Sequence, residues 1–376
     1  MGRLWIRGQH PDRLLAAVIV LLTALGMVYL YSTGAYYGAA RFHDPTYYVK
    51  KQFMAVSLGL AVMYGVSCIE YTWITRRAGL FYFVSLLLSA AVLVVGKEYN
   101  GSKRWLAFGP LSFQPAEFAK AAVILLLASV ISKKKAENAG FFFAVKIFLL
   151  ILPSVILVGT NNLSTAVIIL GIAACLIFMA NPKYLQFAGL GAAAVVMAGI
   201  FLAMESYRLE RIAVWLDPEN YDKGFQTIQG LYAIGSGGLF GLGLGAGRQK
   251  LGFVPEAQND MIFSIICEET GLVGALLLLS LFGFLIFRLY ILSVRSRDLE
   301  GSLLLAGIMT HIALQVILNV AVVTNSIPNT GITLPFISYG GTSIVFLHGE
   351  LGVALAVSRQ VPHRTDSFLA AYTGYE

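Results

Sequence analysis

The sequence predicts an all-α integral membrane protein with about ten transmembrane helices and long loops on one side. Apolar residue types make up 57% of the 376 residues, only 12% are charged, and long apolar runs recur along most of the chain. A soluble domain carries about 25% charged residues. This chain therefore cannot cover a water-facing surface, and lipid must be its main solvent. We predict no separate soluble domain, so residues 1–376 form a single unit.

Each predicted span is an apolar run long enough, or nearly so, to cross about 30 Å of hydrocarbon at about 1.5 Å per residue. The first run is too long for a signal-peptide core and lacks a clear cleavage site, so we expect it to remain as an anchor. An even number of spans places both termini on one side. The runs lie near residues 14–35, 52–69, 78–96, 119–132, 141–158, 163–181, 185–204, 261–287, 302–323 and 343–358.

The distribution of basic residues places both termini in the cytoplasm, because cytoplasmic loops carry an excess of Lys and Arg. The same sorting, with attraction to lipid headgroups, accounts for the net charge of +7 without a nucleic-acid partner. The inner segments, which end in a short tail at about 359–376, contain Arg76, Arg77, Lys133–Lys135, Lys183, Arg288, Arg295, Arg297, Arg359 and Arg364.

Three long outer loops are the candidate functional segments. They cover about 97–118, 205–260 and 324–342, and they are rich in Gly, Pro, aromatic and charged residues, whereas the inner loops are short. Long loops in a compact protein are usually functional. We therefore expect the chemistry to face outward.

The first outer loop offers an ionisable pair. Glu117 and Lys120 lie three residues apart at the start of a helix, so they share one face. Charges this close to a span are costly unless they face a cavity, which makes both residues candidates for substrate binding. The alternative is an interfacial salt bridge with a snorkelling lysine. Arg104, beside Trp105, is either a third binding candidate or a headgroup anchor.

The second outer loop contains seven glycines between Gly235 and Gly247. A nucleotide-binding loop is excluded, because no Gly-Lys-Ser/Thr ending and no βαβ unit accompany them. Glycine instead lets the backbone lie flat in the membrane interface. We expect Arg248 and Lys250, which follow, to reach anionic groups of a substrate.

The string Val254-Pro-Glu-Ala-Gln-Asn-Asp260 leads into the next apolar helix. Asp260 then lies at the helix N-terminus, where the dipole favours a carboxylate. Glu256 is one turn earlier, so the two residues could form a carboxylate pair; the alternative is that Asp260 is a plain N-cap. Glu268 and Glu269 lie deeper in the span, and we expect Lys or Arg from another helix to pair with them.

The third outer loop contains two prolines and three glycines, so a re-entrant or packed segment is predicted. Ser338 and the amide of Gly340 offer donors suited to a phosphate or a sugar, although a tightly packed turn would explain them equally well. His311 and His348 are interpreted as helix-packing or hydrogen-bonding residues, and no residue is predicted as a metal ligand. The three cysteines show no disulfide or zinc pattern.

Four strings together resemble the SEDS family (shape, elongation, division and sporulation), whose members include FtsW and RodA. The resemblance covers almost the whole chain and favours the FtsW and sporulation branch over RodA. The strings are Arg104-Trp with Gln114-Pro-Ala-Glu-Phe-Ala-Lys120, the run from Gln226 to Gly241, Val254 to Phe263, and Gly331 to Ser343. At 160–162 the chain reads Thr-Asn-Asn where the family often has a carboxylate, so no acid or base is available there.

The resemblance implies a peptidoglycan glycosyltransferase that polymerises lipid II on the outer face of the bacterial cytoplasmic membrane. It implies a class B penicillin-binding protein as partner, with other divisome or elongasome membrane proteins. The family's essential aspartate corresponds to Asp260, as general base, and its polar partners correspond to Arg104, Glu117 and Lys120. Arg104 and Lys120 would neutralise the departing pyrophosphate. A divalent cation, Mg or Mn, could assist, although no sequence feature demands one.

Two other functions fit the composition. A lipid II flippase would also have many spans and buried charges, but the sequence shows no interrupted spans in matching positions of two halves. A non-catalytic scaffold for division proteins would leave Asp260 and Lys120 without a shared purpose.

Overall fold

The computed structural model describes residues 10–99, 102–108, 111–133, 141–180, 191, 199 and 206–361. The α-helices within these ranges are α1 (Arg13–Phe42), α2 (Tyr47–Ser67), α3 (Tyr71–Thr75), α4 (Ala78–Val95), α5 (Pro115–Lys133), α6 (Phe141–Gly159), α7 (Leu163–Ala180), α8 (Ser206–Leu216), α9 (Phe225–Gly237), α10 (Ile262–Val294), α11 (Leu299–Val323) and α12 (Gly341–Ser358).

The predicted multi-span α-helical fold is confirmed. Among the described residues, eight helices are long and apolar enough to cross a membrane, namely α1, α4, α5, α6, α7, α10, α11 and α12. A further helix, α2, has 21 residues and packs along α12, where Gly352 contacts the backbone of Met63. The predicted span near 185–204 lies almost entirely outside the described residues, as does most of the tail after Val361.

Two helices extend beyond their predicted ends. The first, α1, continues to Phe42, and His43 ends it in the left-handed region with φ 55°. The second, α10, continues to Val294. Both extensions carry polar and aromatic residues, which lower the hydropathy of the sequence without interrupting the helix. Hydropathy therefore marks the length of chain in hydrocarbon and not the length of the helix.

A small antiparallel sheet lies in the first outer loop and was not predicted. Its strands are β1 (Lys97–Tyr99), β2 (Ser102–Phe108) and β3 (Leu111–Phe113), in the order β1-β2-β3. Two of the strands have only three residues, too few to show an alternating pattern in the sequence. The hydroxyl of Thr342, at the start of α12, donates to the carbonyl of Ser112 at 2.7 Å and ties the sheet to the helices.

Helix α10 is broken at Gly271, whose φ of 65° and ψ of −168° are not helical. The loop that follows α9, residues 238–247, which we call the glycine loop, pairs with the backbone groups exposed by this break. Leu242 N and Gly243 N donate to the carbonyls of residues 268 and 269, and residues 272 and 273 donate to Gly238 and Leu239. The backbone amides and carbonyls at the break are therefore hydrogen-bonded, which a backbone in or near lipid requires.

At the end of the molecule opposite the long loops, an ion pair between Asp12 and Arg288 holds three helices together. Asp12 caps α1 by accepting from Leu15 N at 2.8 Å, and its amide donates to Ser358 Oγ at 3.0 Å. Arg288 of α10 donates to the same carboxylate through Nε at 3.0 Å. Asp12 thereby joins α1, α10 and α12.

Candidate functional site

Asp260 lies two residues before the start of α10, and its side chain is buried. The N-cap of α10 is Met261, so Asp260 is not the plain N-cap that the sequence left open as an alternative. Three successive carbonyls of its segment accept hydrogen bonds. Tyr339 N donates to Gln258 O at 2.9 Å, and Ser338 Oγ donates to Asn259 O at 2.7 Å. Asn319 Nδ2 donates to Asp260 O at 2.8 Å. The segment before α10 is therefore fixed by α11 and by the third outer loop.

Among the residues that the structure describes, none forms a direct ion pair with the carboxyl of Asp260. Its residue is 8% exposed, and within the described part of the chain Oδ1 has no hydrogen-bond partner. Burial, and secondarily the nearby charge of Glu256, raise the pKa of Asp260 from 3.8 to about 7. A carboxyl with this pKa can exchange a proton near neutral pH, which is what a general base requires. Glu256 and Asp260 are thus close enough to interact, as predicted.

Arg104 faces Asp260 across Gly331. A Cβ built on Gly331 would lie 3.8 Å from Asp260 Oδ2 and 3.9 Å from Arg104 Nη1. Gly331 has φ 69°, which favours glycine, and it lies close to both groups. Arg104 Nε donates to the carbonyl of Asn161 at 2.8 Å, which fixes the guanidinium. The structure therefore brings together two residues that lie far apart in the sequence.

Arg211 of α8 is a site residue that the sequence analysis missed. It interacts electrostatically with Asp260. Its Nη1 donates to Asn329 O at 3.0 Å, and one turn later Trp215 Nε1 donates to Asn325 O at 2.9 Å. These bonds dock α8 on the third outer loop. The four-residue spacing of the Arg and the Trp was visible in the sequence, but nothing in it showed which segment they contact.

A small groove beside Arg104 lies between the first outer loop, helices α4, α5 and α6, and the segment that follows α6. Its walls contain the apolar Val92 and Leu157 together with the basic Lys103 and Arg104, so an amphiphile with an anionic head would match it. The full lining is Ser89, Val92, Lys103, Arg104, Gln114, Pro115, Ala116, Leu157, Val158, Asn161 and Asn162.

Glu117 and Lys120 form a buried ion pair behind this groove. Lys120 Nζ lies 3.0 Å from Glu117 Oε1, and the side chains are 1% and 10% exposed. Ser343 Oγ donates to the other carboxylate oxygen at 2.8 Å. The predicted pair is present on one face, and in this arrangement the charge of Lys120 is matched by Glu117. A role for either residue in substrate binding stays a prediction.

Lys250 and Arg248 lie at the glycine loop. Lys250 is buried, where its Nζ contacts Glu269 Oε1 at 2.5 Å, Ser32 Oγ at 2.6 Å and Gly245 O at 2.8 Å. Lys250 is therefore the basic partner that the sequence analysis required for Glu269, although it comes from the loop and not from a helix. Arg248 is exposed, and its backbone amide donates to Glu268 at 2.7 Å. The substrate role predicted for these two cations stays a prediction.

Ser338 and Gly340 use their donors within the protein. Besides donating to Asn259 O, Ser338 Oγ accepts from Leu334 N at 2.8 Å. Gly340 N donates to Gln52 Oε1 at 3.1 Å. These bonds describe the tightly packed turn that the sequence left open as an alternative, so contact with a phosphate or sugar remains a prediction for both.

No group of three or more His, Cys, Asp or Glu side chains that could hold a metal ion occurs among the residues that the structure describes. Near Asp260, however, Asn319 Oδ1 and Gln258 Oε1 are also buried oxygens without a hydrogen-bond partner within the described ranges. Carboxylate and amide oxygens are ligands that Mg²⁺ accepts, usually with water completing the shell. The chemistry of these oxygens is compatible with a divalent cation, and a role for Mg or Mn stays a prediction.

Comparison with known proteins gives consistent matches over nearly the whole chain. The cell cycle protein family of FtsW, RodA and SpoVE matches residues 12–363. Stage V sporulation protein E of Bacillus subtilis is 38% identical over 357 residues, covering 93% of this chain and 97% of the relative. A probable peptidoglycan glycosyltransferase FtsW of Saccharophagus degradans is 34% identical over 364 residues, with 94% of each chain covered.

Two solved structures are similar in fold as well. A chain from a peptidoglycan synthase complex, studied for its coordination of polymerization and crosslinking, superposes with a TM-score of 0.77 at 31% identity, covering 93% of this chain and 98% of the other. The rod shape determining protein RodA of Thermus thermophilus superposes with a TM-score of 0.69 at 30% identity, covering 94% of this chain and 98% of the other.

Proposed function

This chain belongs to the SEDS family of cell cycle proteins that contains FtsW, RodA and SpoVE, and from that premise we propose that it is a peptidoglycan glycosyltransferase that polymerises lipid II. The reaction would take place on the outer face of the cytoplasmic membrane, with both termini inside. The observation that carries the proposal is Asp260, a buried carboxyl of raised pKa that has Arg104 and Arg211 in its vicinity.

The chemistry requires a base and a counter-charge. The 4-hydroxyl of one lipid-linked disaccharide attacks the anomeric carbon of another, the C–O bond to undecaprenyl pyrophosphate breaks, and the configuration inverts. Asp260 Oδ1, which is free of hydrogen bonds within the described residues, takes the hydroxyl proton as the new bond forms. General-base catalysis of this kind contributes about 10²–10⁴-fold in rate.

Arg104 and Arg211 are the cations placed to match the pyrophosphate. Arg104 and Asp260 both lie close to Gly331, and Arg211 lies within electrostatic range of the same carboxyl. A planar guanidinium binds phosphate through two parallel hydrogen bonds and does not lose its charge at neutral pH. The groove next to Arg104 would take the head of the substrate, while the isoprenoid remains in lipid.

The two alternatives explain less of this arrangement. A flippase needs a polar path through the membrane, whereas Asp260 and Arg104 lie together at one end. A scaffold needs no carboxyl of raised pKa. The FtsW relatives and the synthase complex favour cell wall synthesis, and we propose a class B penicillin-binding protein as partner.

The experiment that separates the three functions uses purified protein and labelled lipid II. We expect glycan strands to form, either with the purified protein alone or after the penicillin-binding partner is added. A flippase would instead move labelled lipid II across the bilayer of reconstituted vesicles without forming strands. Absence of both activities, with and without the partner, would favour the scaffold and contradict the proposal.

A further inference from the structure

Helix α11 carries a buried polar stripe that leads to Asp260. His311, Gln315 and Asn319 are spaced by four residues, so they lie one above another on the same face of the helix. His311 is 2% exposed, Gln315 is 4% exposed and Asn319 is 0% exposed. Polar side chains inside a membrane span are costly and mark function or specific pairing. We call these three residues the α11 stripe.

Each member of the stripe contacts a different segment. His311 Nδ1 lies 2.7 Å from Glu350 Oε2 of α12. One turn further, Gln315 Nε2 donates to Thr333 O at 3.2 Å. At the end, Asn319 Nδ2 donates to Asp260 O at 2.8 Å and to Ile332 O at 2.7 Å. The stripe therefore connects α11 with α12, then with the third outer loop, and last with Asp260.

Asn319 has the most direct effect on the site. A single amide group joins the segment before α10 to the loop after α11, and it uses both of its hydrogens to do so. The same loop contains Gly331, which lies between Asp260 and Arg104. Asn319 consequently sets the position of Asp260 relative to Arg104, although it contacts only the Asp260 backbone.

The pair His311–Glu350 fixes the other end of the stripe. Helices α11 and α12 are joined by the third outer loop, so a contact between them below the loop limits how far its two ends can move. Both side chains are buried, and the other charged groups near them are Glu117, within electrostatic range of His311, and its partner Lys120. His348, on the same helix as Glu350, instead contacts Thr23 of α1 at 3.3 Å.

We propose that the α11 stripe is a positioning device for the general base: Asn319 holds the Asp260 backbone against the third outer loop, and His311 with Glu350 anchors the two helices that carry this loop. The inference rests on the proposed polymerase function. Asn319, Gln315, His311 and Glu350 are positioning residues, since none of them contacts the reacting atoms.

The test is Asn319→Leu, which keeps the branching at Cγ and suits a membrane helix but removes both hydrogen bonds. Misplacing a reacting group by about 1 Å can cost about 10²-fold in rate. We therefore expect kcat per folded molecule to fall about 10- to 100-fold while KM changes less than about threefold. The released carboxyl should also become more hydrated, so the acid limb of the pH–rate profile should move to lower pH.

The matched control is Val316→Ala on the same helix, which is buried and apolar. It should lower the melting temperature yet leave kcat and the acid limb unchanged. If Asn319→Leu does not fold, Gln315→Leu is measured by the same criteria, with a smaller loss of kcat expected. A normal kcat with an unmoved acid limb, or a loss that appears in KM alone, overturns the inference.

Failure of this inference differs from failure of the proposed function. If wild-type protein forms no glycan strands with or without its partner, the proposed function itself is wrong. If Asp260→Asn forms strands normally, the polymerase function stands, but Asp260 is not its general base and the positioning role falls with that assignment. If wild-type protein is active, Asp260→Asn is inactive and Asn319→Leu behaves as wild type, only the positioning role is wrong.

Discussion

At the residue scale, the structure shows two ways of placing a charge near a membrane. Asp260 is buried without a direct counter-ion among the described residues, and its pKa rises. Lys120 is buried against Glu117, and Lys250 against Glu269. A buried pair costs a large desolvation energy that its attraction only partly offsets, so removing one partner is worse than removing both. The isolated carboxyl and the paired charges should therefore respond differently to substitution.

The Glu117–Lys120 pair gives the first prediction. Lys120→Met leaves Glu117 uncompensated, and breaking such a buried pair costs about 3–5 kcal/mol. The double variant Glu117→Gln with Lys120→Met should recover most of the lost stability, because no buried charge remains. Thermal unfolding of the three variants in detergent measures this. An unchanged melting temperature for Lys120→Met would contradict this prediction and show that the ion pair adds no net stability to the fold.

The pH dependence of Asp260 gives the second prediction. Its pKa is 3.8 in the unfolded reference and about 7 in the fold, so the ionised form is disfavoured by folding. This loss of stability is absent below pH 3.8, grows as the pH rises towards 7 and is constant above. The charges involved are Glu256, which raises the pKa, and Arg211, which lowers it.

Asp260→Asn should therefore melt at a higher temperature than wild type at pH 8, with the difference shrinking towards pH 4. The polymerisation rate of wild type should rise with pH and reach half of its maximum near pH 7, the value to which burial raises this pKa. A melting difference that is independent of pH would mean that Asp260 keeps its ordinary pKa in the fold.

At the scale of single elements, α10 and the glycine loop form one unit. The carbonyls and amides left open by the break at Gly271 bond to the loop, and Lys250 returns from the loop to neutralise Glu269. Beyond Gly271, α10 is still long enough to cross about 30 Å at about 1.5 Å per residue. The break therefore lies near the edge of the hydrocarbon, and the exposed Leu239, Phe240, Leu242 and Leu244 lie at this level.

Substitution of Gly271 tests this unit and gives the third prediction. Gly271→Ala would place a methyl group against the backbone of Leu239 and Gly241, at a φ of 65° that alanine rarely adopts. We expect loss of the folded, monodisperse protein or a large fall in melting temperature. The matched control is Gly283→Ala in the same helix, where a Cβ meets nothing within 4 Å. If the two variants were equally stable, the close packing of the glycine loop against the break at Gly271 would be contradicted.

Sequence patterns predicted the elements better than the contacts between them. Hydropathy located the spans because lipid imposes a local requirement on each segment. The Asp260 string was recognisable because a helix start and a charge are local features. Arg211, Asn319 and the β-sheet were missed, since their roles depend on contacts with residues far along the chain. The sequence likewise predicted a substrate role for Lys250, but it did not show that Glu269 would lie beside this lysine.

At the scale of the whole molecule, the site and the Asp12–Arg288 pair lie at opposite ends of the helices. Basic residues dominate the short loops at the Asp12 end, where Arg76 and Lys133 lie within electrostatic range of the acidic Glu300. This asymmetry agrees with a cytoplasmic location for that end. The site would then face the outer side, where the proposed acceptor and donor are found.

Cysteine accessibility tests this orientation and is the fourth prediction. After Cys68, Cys175 and Cys267 are replaced, single cysteines are introduced at Lys133, which ends α5, and at Tyr221, which is 41% exposed in the second outer loop. A membrane-impermeant reagent added to intact cells should label only Tyr221→Cys, and permeabilisation should expose Lys133→Cys. Labelling of both positions in intact cells would exclude the proposed topology.

The central claim, that Asp260 is the general base of a glycosyltransferase, is tested most directly by polymerisation of lipid II with Asp260→Asn. Asparagine keeps the shape of the side chain and removes only its ability to ionise, and the N-cap of α10 is Met261 and not this residue. A structural role alone therefore leaves activity nearly unchanged. We predict a folded, monodisperse variant that still binds its penicillin-binding partner and forms no glycan strands, while Asp260→Glu retains at most partial activity. Strand formation by Asp260→Asn at the wild-type rate would contradict the catalytic assignment.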